Sequence, residues 1–258
     1  MDLGIKDKIA IVTGGSRGLG RQAALSLARE GVKVAISGRT ENTLNDTVHE
    51  LQSLGSQAIG IVADITDPDS SQKLYDRTLK ELGHVDILTN NAGGRQGGPD
   101  LDETTEEDFK KTMDMNLYGA LRMIRLVVPH MKEQKWGRII NIASIWGREH
   151  GGVISYMPAK AALIAATKHL SRELAKDSVL VNSVAPGSIK HPGGTWERFT
   201  SEQPPEIVEK FIEENFPMGR FGWPEPVGDL VAFLASARAS LITGTCINID
   251  GGQSKSLI

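Results

Sequence analysis

The stretch "KIAIVTGGSRGLGRQAALSLARE", residues 8–30, joins a short apolar run to an alanine- and leucine-rich one through a cluster of glycines. The β-branched run at 8–13 reads as a strand, the run at 18–30 as a helix, and the glycines as the turn between them. Gly14, Gly18 and Gly20 stand in a T-G-x-x-x-G-x-G spacing. Glycines there allow a tight turn and a close approach of the backbone, while the following helix N-terminus offers unpaired N–H groups to a diphosphate. A strand–turn–helix of this kind at the head of an alternating chain reads as a nucleotide-binding unit.

The rest of the chain keeps the alternation. Apolar runs near 33–37, 57–63, 85–89, 138–143, 179–185 and 245–249 read as strands, and patterns near 41–54, 68–82, 105–132, 156–176 and 225–236 as helices. The strands are hydrophobic on both faces, as in a parallel sheet covered by helices. The expected fold is α/β, a single doubly wound Rossmann domain over residues 1–258 with a seven-stranded parallel sheet. Residues 188–222 interrupt the rhythm with Pro192, Gly193, Gly194, Pro204 and Pro205 and a short helical run at 205–215, which reads as a helical substrate lid.

Composition excludes several functions. With 29 basic and 32 acidic residues among 258, the net charge of −3 gives no footprint for nucleic acid or an anionic membrane. No apolar run is long enough to cross a bilayer. The lone Cys246 can form neither an intramolecular disulfide nor a zinc site, so no metal is expected, and the N-terminus lacks the apolar region of a secretory signal. A cytoplasmic protein is the simplest expectation.

The nucleotide is read at the end of the second strand. A site for NAD usually places a carboxylate there, on the ribose 2′-hydroxyl. This chain has Ser37, Gly38 and Arg39 instead, with no acid before Glu41. A guanidinium matches a phosphate through two parallel hydrogen bonds, and Arg17 can approach from the glycine turn. NADP(H) is the expected cofactor. Further on, Tyr156 and Lys160 stand four positions apart where a helical pattern begins, so one helix face presents both head groups.

Taken together, "TGGSRGLG" at 13, "ADI" at 63, "NNAG" at 90, Asn116 in "MDMNLYGA", Ser144 in "INIAS", "YMPAK" at 156, "NSVAPG" at 182 and the stretch "GRFGWPEP…ITGTCINIDGG" resemble the short-chain dehydrogenase/reductase family along the whole chain. The overall pattern is similar to that of 3-oxoacyl-(acyl carrier protein) reductases and other ketone reductases. The resemblance implies cofactor contacts from Gly14, Ser16, Arg17, Gly18, Leu19 and Gly20 in the turn, then Ser37, Gly38 and Arg39, and Asp64 and Ile65 at the adenine. It also implies a cleft lined by Asn90, Asn91, Ala92 and Gly93, with Pro186, Gly187 and Ile189 beside the nicotinamide. Asn116, Ser144, Tyr156 and Lys160 correspond to the catalytic tetrad, and a homotetramer is the family's usual assembly.

That frame supplies the chemistry. Reducing a ketone requires a hydride at carbon and a proton at oxygen, hence a general acid beside the carbonyl. Tyr156 is the implied acid, and Lys160 is expected to lower its pKa from one helical turn away and to grip the nicotinamide ribose. Ser144 is expected to hydrogen-bond the substrate oxygen, and Asn116 to hold a water leading to Lys160. The implied activity is NADP(H)-dependent hydride transfer between nicotinamide and a small-molecule ketone or secondary alcohol, acting as a carbonyl reductase. The alternatives are an NAD-linked polyol or alcohol dehydrogenase and a non-catalytic NADP-binding sensor.

Two departures and one open question accompany the resemblance. Ser144 precedes Tyr156 by 12 residues, one fewer than in many relatives, and His191 stands where many carry a threonine that holds the carboxamide, leaving Ser188 or the backbone to substitute. Trp196, Phe199, Phe211, Phe216, Phe221 and Trp223 suggest an apolar wall over the substrate. Arg95, Gln96, Arg148 and Lys190 are candidates to read a polar or anionic end. Lys135 and Arg172 lie near where carrier-protein reductases dock their acidic partner.

Overall fold

The computed structural model describes residues 1–257. Strands β1 (Ile9–Val12), β2 (Lys33–Gly38), β3 (Ala58–Val62), β4 (Ile87–Asn90), β5 (Gly137–Ile142), β6 (Val179–Pro186) and β7 (Cys246–Ile249) form one all-parallel sheet in the order β3-β2-β1-β4-β5-β6-β7. Helices α1 (Gly18–Arg29), α2 (Glu41–Ser53), α3 (Pro68–Glu81), α4 (Glu106–Met113), α5 (Gly119–Glu133), α6 (Tyr156–Leu174), α7 (Thr195–Glu202), α8 (Pro205–Asn215) and α9 (Pro224–Ala235) connect them.

Side chains of a strand alternate between faces, and this sheet uses both. Ala10, Val12, Val34, Ile36, Ile140 and Ile142 pack with α1, α2 and α9, whereas Ile11, Ala35, Ile139 and Val181 pack with α3, α5 and the end of α6. Burying both faces leaves the strands largely apolar, interrupted by buried polar residues such as Asn90, Asn141 and Asn182. The chain winds outward from β1 to β3, then crosses to β4 on the other side of β1. At that reversal the loops after β1 and β4 diverge, and a crevice opens at the carboxyl ends of the strands.

Helix α1 carries the glycine turn and is held by α9 at backbone distance. A Cβ on Gly228 would stand 2.6 Å from the Gln22 carbonyl oxygen and 2.8 Å from Ser26 Oγ. Ser26 Oγ also donates to Asp229 at 2.9 Å.

The long pattern at 105–132 is not one helix. Residues Asp114–Tyr118 form a π-helical turn between α4 and α5. Such turns mark functional positions, because the extra residue rotates one side chain out of the regular ladder; here it is the turn that carries Asn116.

The segment between β6 and α9 contains α7, which the proline- and glycine-rich sequence does not announce, and then α8. Trp196, Phe199, Phe211, Phe216 and Phe221 pack on one another, with ring centroids 4.8–6.4 Å apart. Trp223 stays outside this cluster, 39% exposed, with the Arg220 guanidinium 4.2 Å from its ring. Among the described residues, no helix is long and apolar enough to cross a membrane.

The α1–α9 contact has a direct test. Gly228→Ala forces the two helices apart and should cost about 1–3 kcal/mol, as overpacking does, seen as a lowered midpoint in thermal unfolding. An unchanged midpoint would show that the contact is loose.

Candidate functional site

The loops that leave the carboxyl ends of β1, β4, β5 and β6 meet in one crevice. The glycine turn after β1 is stitched to β4 by Asn91, whose side-chain amide donates to the Thr13 and Gly14 carbonyls at 3.0 Å, and by Thr13 Oγ1, which accepts from the Asn91 and Ala92 amides at 3.0 Å. Gly20 must be glycine: a Cβ there would come within 2.3 Å of both Asn91 Nδ2 and Gly14 O. Helix α1 begins with no side-chain cap at Arg17 and no acidic residue in its first turn, so its leading N–H groups are open to an anion. These features fit a dinucleotide.

Around that turn, Ser37 Oγ accepts from the Gly14 amide at 3.4 Å, and Gly38 lies against Ser16. Arg17 and Arg39 are exposed at its rim, while Leu19 is half-buried. Asp64 accepts from the Thr66 amide and hydroxyl, bonds that hold its carboxyl below the usual range, with the Arg39 charge adding to them. Ile65 beside it is buried. Asn90 is buried and donates to Asn141 at 2.8 Å; Asn141 in turn donates to Thr167 Oγ1 at 2.9 Å, linking β4 and β5 to α6.

The four candidate catalytic residues converge from three elements. Ser144 stands two residues beyond the end of β5, where its Oγ accepts from the Trp146 amide at 3.2 Å, and it hydrogen-bonds toward the Tyr156 phenol. Lys160, only 3% exposed, donates to the Ile142 carbonyl at 2.7 Å, and its Nζ lies 5.5 Å from the centre of the Tyr156 ring. Asn116 donates to the Gly94 carbonyl at 2.6 Å and the Thr112 carbonyl at 2.8 Å, and its Oδ1 accepts from the Gly94 amide at 3.3 Å. A Cβ on Gly93 would stand 2.6 Å from Asn116 Oδ1 and 3.3 Å from Lys160 Nζ, so both polar atoms flank one point.

The electrostatics differ from the sequence expectation. Burial pushes the Tyr156 phenol up to about 12, against the Ser144 hydrogen bond and the Arg95 charge, which lower it. Lys160 does not act as the lowering charge here. Burial pushes its own ammonium down to about 7, and one of its N–H donors is engaged by a main-chain carbonyl.

Other expectations are also revised. The Ser188 hydroxyl is committed: Gln253 donates to it at 2.9 Å and accepts from the Ser188 amide at 2.8 Å. Gln253 is thus a supporting residue that the tail "GGQSKSLI" gave no reason to single out. The His191 ring covers Gly18, its Cε1 2.7 Å from where a Cβ would stand. Pro186 ends β6, paired with Ile249; Gly187 backs on Asp250, and Ile189 bridges to Gly222. Arg148 donates to the Cys246 carbonyl and Asn248, bracing β7, so its guanidinium is not free to read a ligand. Lys135 is ion-paired with Asp177 at 2.5 Å, which offsets its charge as a docking point.

With this geometry in hand, the comparisons are specific. A family model described as enoyl-(acyl carrier protein) reductase matches residues 14–254. The 3-oxoacyl-(acyl-carrier-protein) reductase FabG of Thermotoga maritima is 33% identical over 249 residues, covering 96% of this chain and 98% of its own. The crystal structure of L-sorbose reductase from Gluconobacter frateurii, complexed with NADPH and L-sorbose, superposes with a TM-score of 0.93 at 28% identity over 100% of both chains. A 7α-hydroxysteroid dehydrogenase complexed with NADH and 7-oxo glycochenodeoxycholic acid does so with a TM-score of 0.89 at 31% identity, covering 100% of this chain and 98% of that one.

The convergence on Gly93 can be tested directly. Gly93→Ala pushes a methyl group between Asn116 and Lys160, and a displacement of that size near the reacting groups should lower turnover by about 100-fold. Steady-state assays against a responsive substrate check it; near-normal turnover would mean that the two groups need not meet.

Proposed function

The chain belongs to the short-chain dehydrogenase/reductase family, and from that premise we propose that it works as an NADP(H)-dependent carbonyl reductase on a small-molecule ketone, the reverse reaction oxidising a secondary alcohol. As a member of that family it is an oxidoreductase acting on CH–OH or C=O groups, and it binds a nicotinamide nucleotide. The observation that carries the reading is the Tyr156 phenol, pushed up to about 12 and hydrogen-bonded by Ser144, one helical turn from the buried Lys160. The matching model's description names reduction at a carbon–carbon double bond. The Ser144 and Tyr156 hydroxyls, hydrogen-bonded side by side, favour a carbonyl oxygen instead.

Bound NADPH supplies the hydride. Ser144 donates a hydrogen bond to the carbonyl oxygen and steadies the charge developing there. Tyr156 then gives its phenolic proton to that oxygen, so one hydride and one proton are consumed per ketone. Lys160 and Asn116, flanking the point beside Gly93, form the route by which Tyr156 is reprotonated. A phenol held protonated suits reduction, because the acid is loaded at any pH near neutrality. The glycine turn, Asn91, Ala92 and the N-terminus of α1 would hold the diphosphate, Asp64 and Ile65 the adenine, and Pro186, Gly187 and Ile189 the nicotinamide. The residues 188–222 act as the substrate lid. A cytoplasmic homotetramer is the assembly that family membership supports.

Tyr156→Phe removes the acid while keeping the ring, and should lower kcat for ketone reduction by at least ~100-fold with NADPH affinity nearly unchanged. In the wild type the sign of the pH dependence follows from the raised phenol. Alcohol oxidation needs the proton off, so below the pKa it should climb about tenfold per pH unit; reduction needs the proton on and should not climb. Substantial turnover by the phenylalanine variant, or oxidation falling with rising pH, would remove Tyr156 from this role.

Cofactor choice is tested at Arg39, exposed just after β2 with no carboxylate beside it in sequence, and at Arg17, exposed in the glycine turn, where its guanidinium donates to the Gly193 carbonyl at 3.5 Å. A charge-assisted hydrogen bond to the 2′-phosphate contributes about 1.5–3 kcal/mol, a preference for NADPH over NADH of about ten- to a hundredfold. The double variant Arg17→Ala/Arg39→Leu should lose it in fluorescence titrations of both nucleotides, a readout independent of turnover. Equal affinities in the wild type, or an unaltered ratio in the variant, would show that these arginines do not read the phosphate.

A further inference from the structure

Most cations around the crevice are already engaged. Arg148 braces β7, Arg220 lies on Trp223, and Arg122 is paired with Asp114 and the Ile65 carbonyl. Arg95 is different. It follows "NNAGG" in the loop after β4, its side chain is exposed, and no hydrogen bond or ion pair holds its guanidinium among the described residues.

The backbone beneath it is nevertheless fixed from both sides. Gly94, before it, exchanges two hydrogen bonds with Asn116. Gln96, after it, donates its amide to Thr112 Oγ1 at 3.0 Å and accepts from Ser155 Oγ at 2.7 Å. Asn116 is a candidate catalytic residue, and Ser155, fully buried, immediately precedes Tyr156. An arginine on an unsupported loop would sweep through solvent; this one is mounted on the frame that holds the reacting groups. Its charge is felt at the Tyr156 phenol, which it helps to lower. Some surface cations elsewhere in this chain are paired along their own helices, as Arg77 is with Glu81 and Lys110 with Glu106. The loop around Arg95 supplies none.

We propose that Arg95 selects the substrate: a ketone carrying an oxyanion, a carboxylate or a phosphate ester, within a few bonds of the carbonyl that Tyr156 and Ser144 address. A guanidinium recognises either oxyanion through paired N–H donors. The anion meets a positive group already in place, and its binding orients the carbonyl toward the phenol at little cost in loop ordering. This inference rests on the carbonyl-reductase reading of the same site.

The test is a set of α-, β- and γ-keto acids, keto phosphate esters and the methyl esters of the same acids, each reduced with NADPH. For the best acid the wild type should favour the anion over its neutral ester by about ten- to a hundredfold in kcat/KM, mostly through KM. Arg95→Ala should erase that ratio, Arg95→Glu should invert it, and Arg95→Lys should keep part of it. The acid and phosphate arms separate the two anions. A ratio near one for every pair in the wild type, or one unmoved by Arg95→Ala, overturns the assignment of Arg95 while leaving the reductase reading intact. If NADPH binds but no ketone of the set is reduced, the reductase reading falls and this one with it.

Discussion

The hydrogen bond from Lys160 to the Ile142 carbonyl, 2.7 Å long and almost fully covered, constrains the rest of the site. A buried ammonium without a carboxylate is unfavourable, and this one is tolerated only because its proton is easily surrendered and its donors have a fixed acceptor. The bond ties the first turn of α6 to the last residue of β5. Ser144 leaves β5 two residues beyond that carbonyl, and Tyr156 opens α6 one turn before the lysine. The spacing between the two hydroxyls is thereby set by an interaction that neither of them makes. The chain Asn90–Asn141–Thr167 repeats the tie one layer deeper, between β4, β5 and the middle of α6.

The two halves of the crevice are built by different means. On the proposed nucleotide side, the surface is mostly main chain: a glycine turn, an uncapped helix start and the Asn91 stitch. On the substrate side, the polar groups are side chains mounted on shared supports. Asn116 stands on a π-turn, with its amide satisfying two carbonyls, so it is held as firmly as a strand residue although it lies in the middle of a helical run. The loop beyond β4 serves both halves, stitched to the glycine turn at Asn91 and to the catalytic frame at Gly94 and Gln96.

Much of this was legible in the sequence, and the reasons differ by feature. All seven strands lie within about two residues of their apolar runs, since the sheet keeps most strand positions apolar and glycine- or proline-rich turns bound them. The strand–turn–helix and the Tyr156–Lys160 spacing are local, so their placement is close to a reading of the chain. The π-turn was invisible, because one inserted residue barely alters a hydrophobic period over nearly thirty positions. Helix α7 was missed because its eight residues sit among prolines and glycines. The lock of Gln253 on Ser188 and the bracing role of Arg148 depend on partners about 65 and 100 residues away. The direction of the Tyr156 shift was misjudged for a related cause: spacing reveals which charge is near, whereas burial is a property of the assembled crevice.

The five aromatic rings of the β6–α9 segment contact one another more than they line an open surface. Trp196 and Phe199 from α7, Phe211 from α8, and Phe216 and Phe221 beyond it make a small core of their own. The segment's two ends, near Ile189 and Gly222, are joined by main-chain hydrogen bonds like the neck of a pouch. Tilting the segment about that neck would also move His191 and Gly193, which touch Gly18 and Arg17, so a change above the substrate would be felt at the glycine turn.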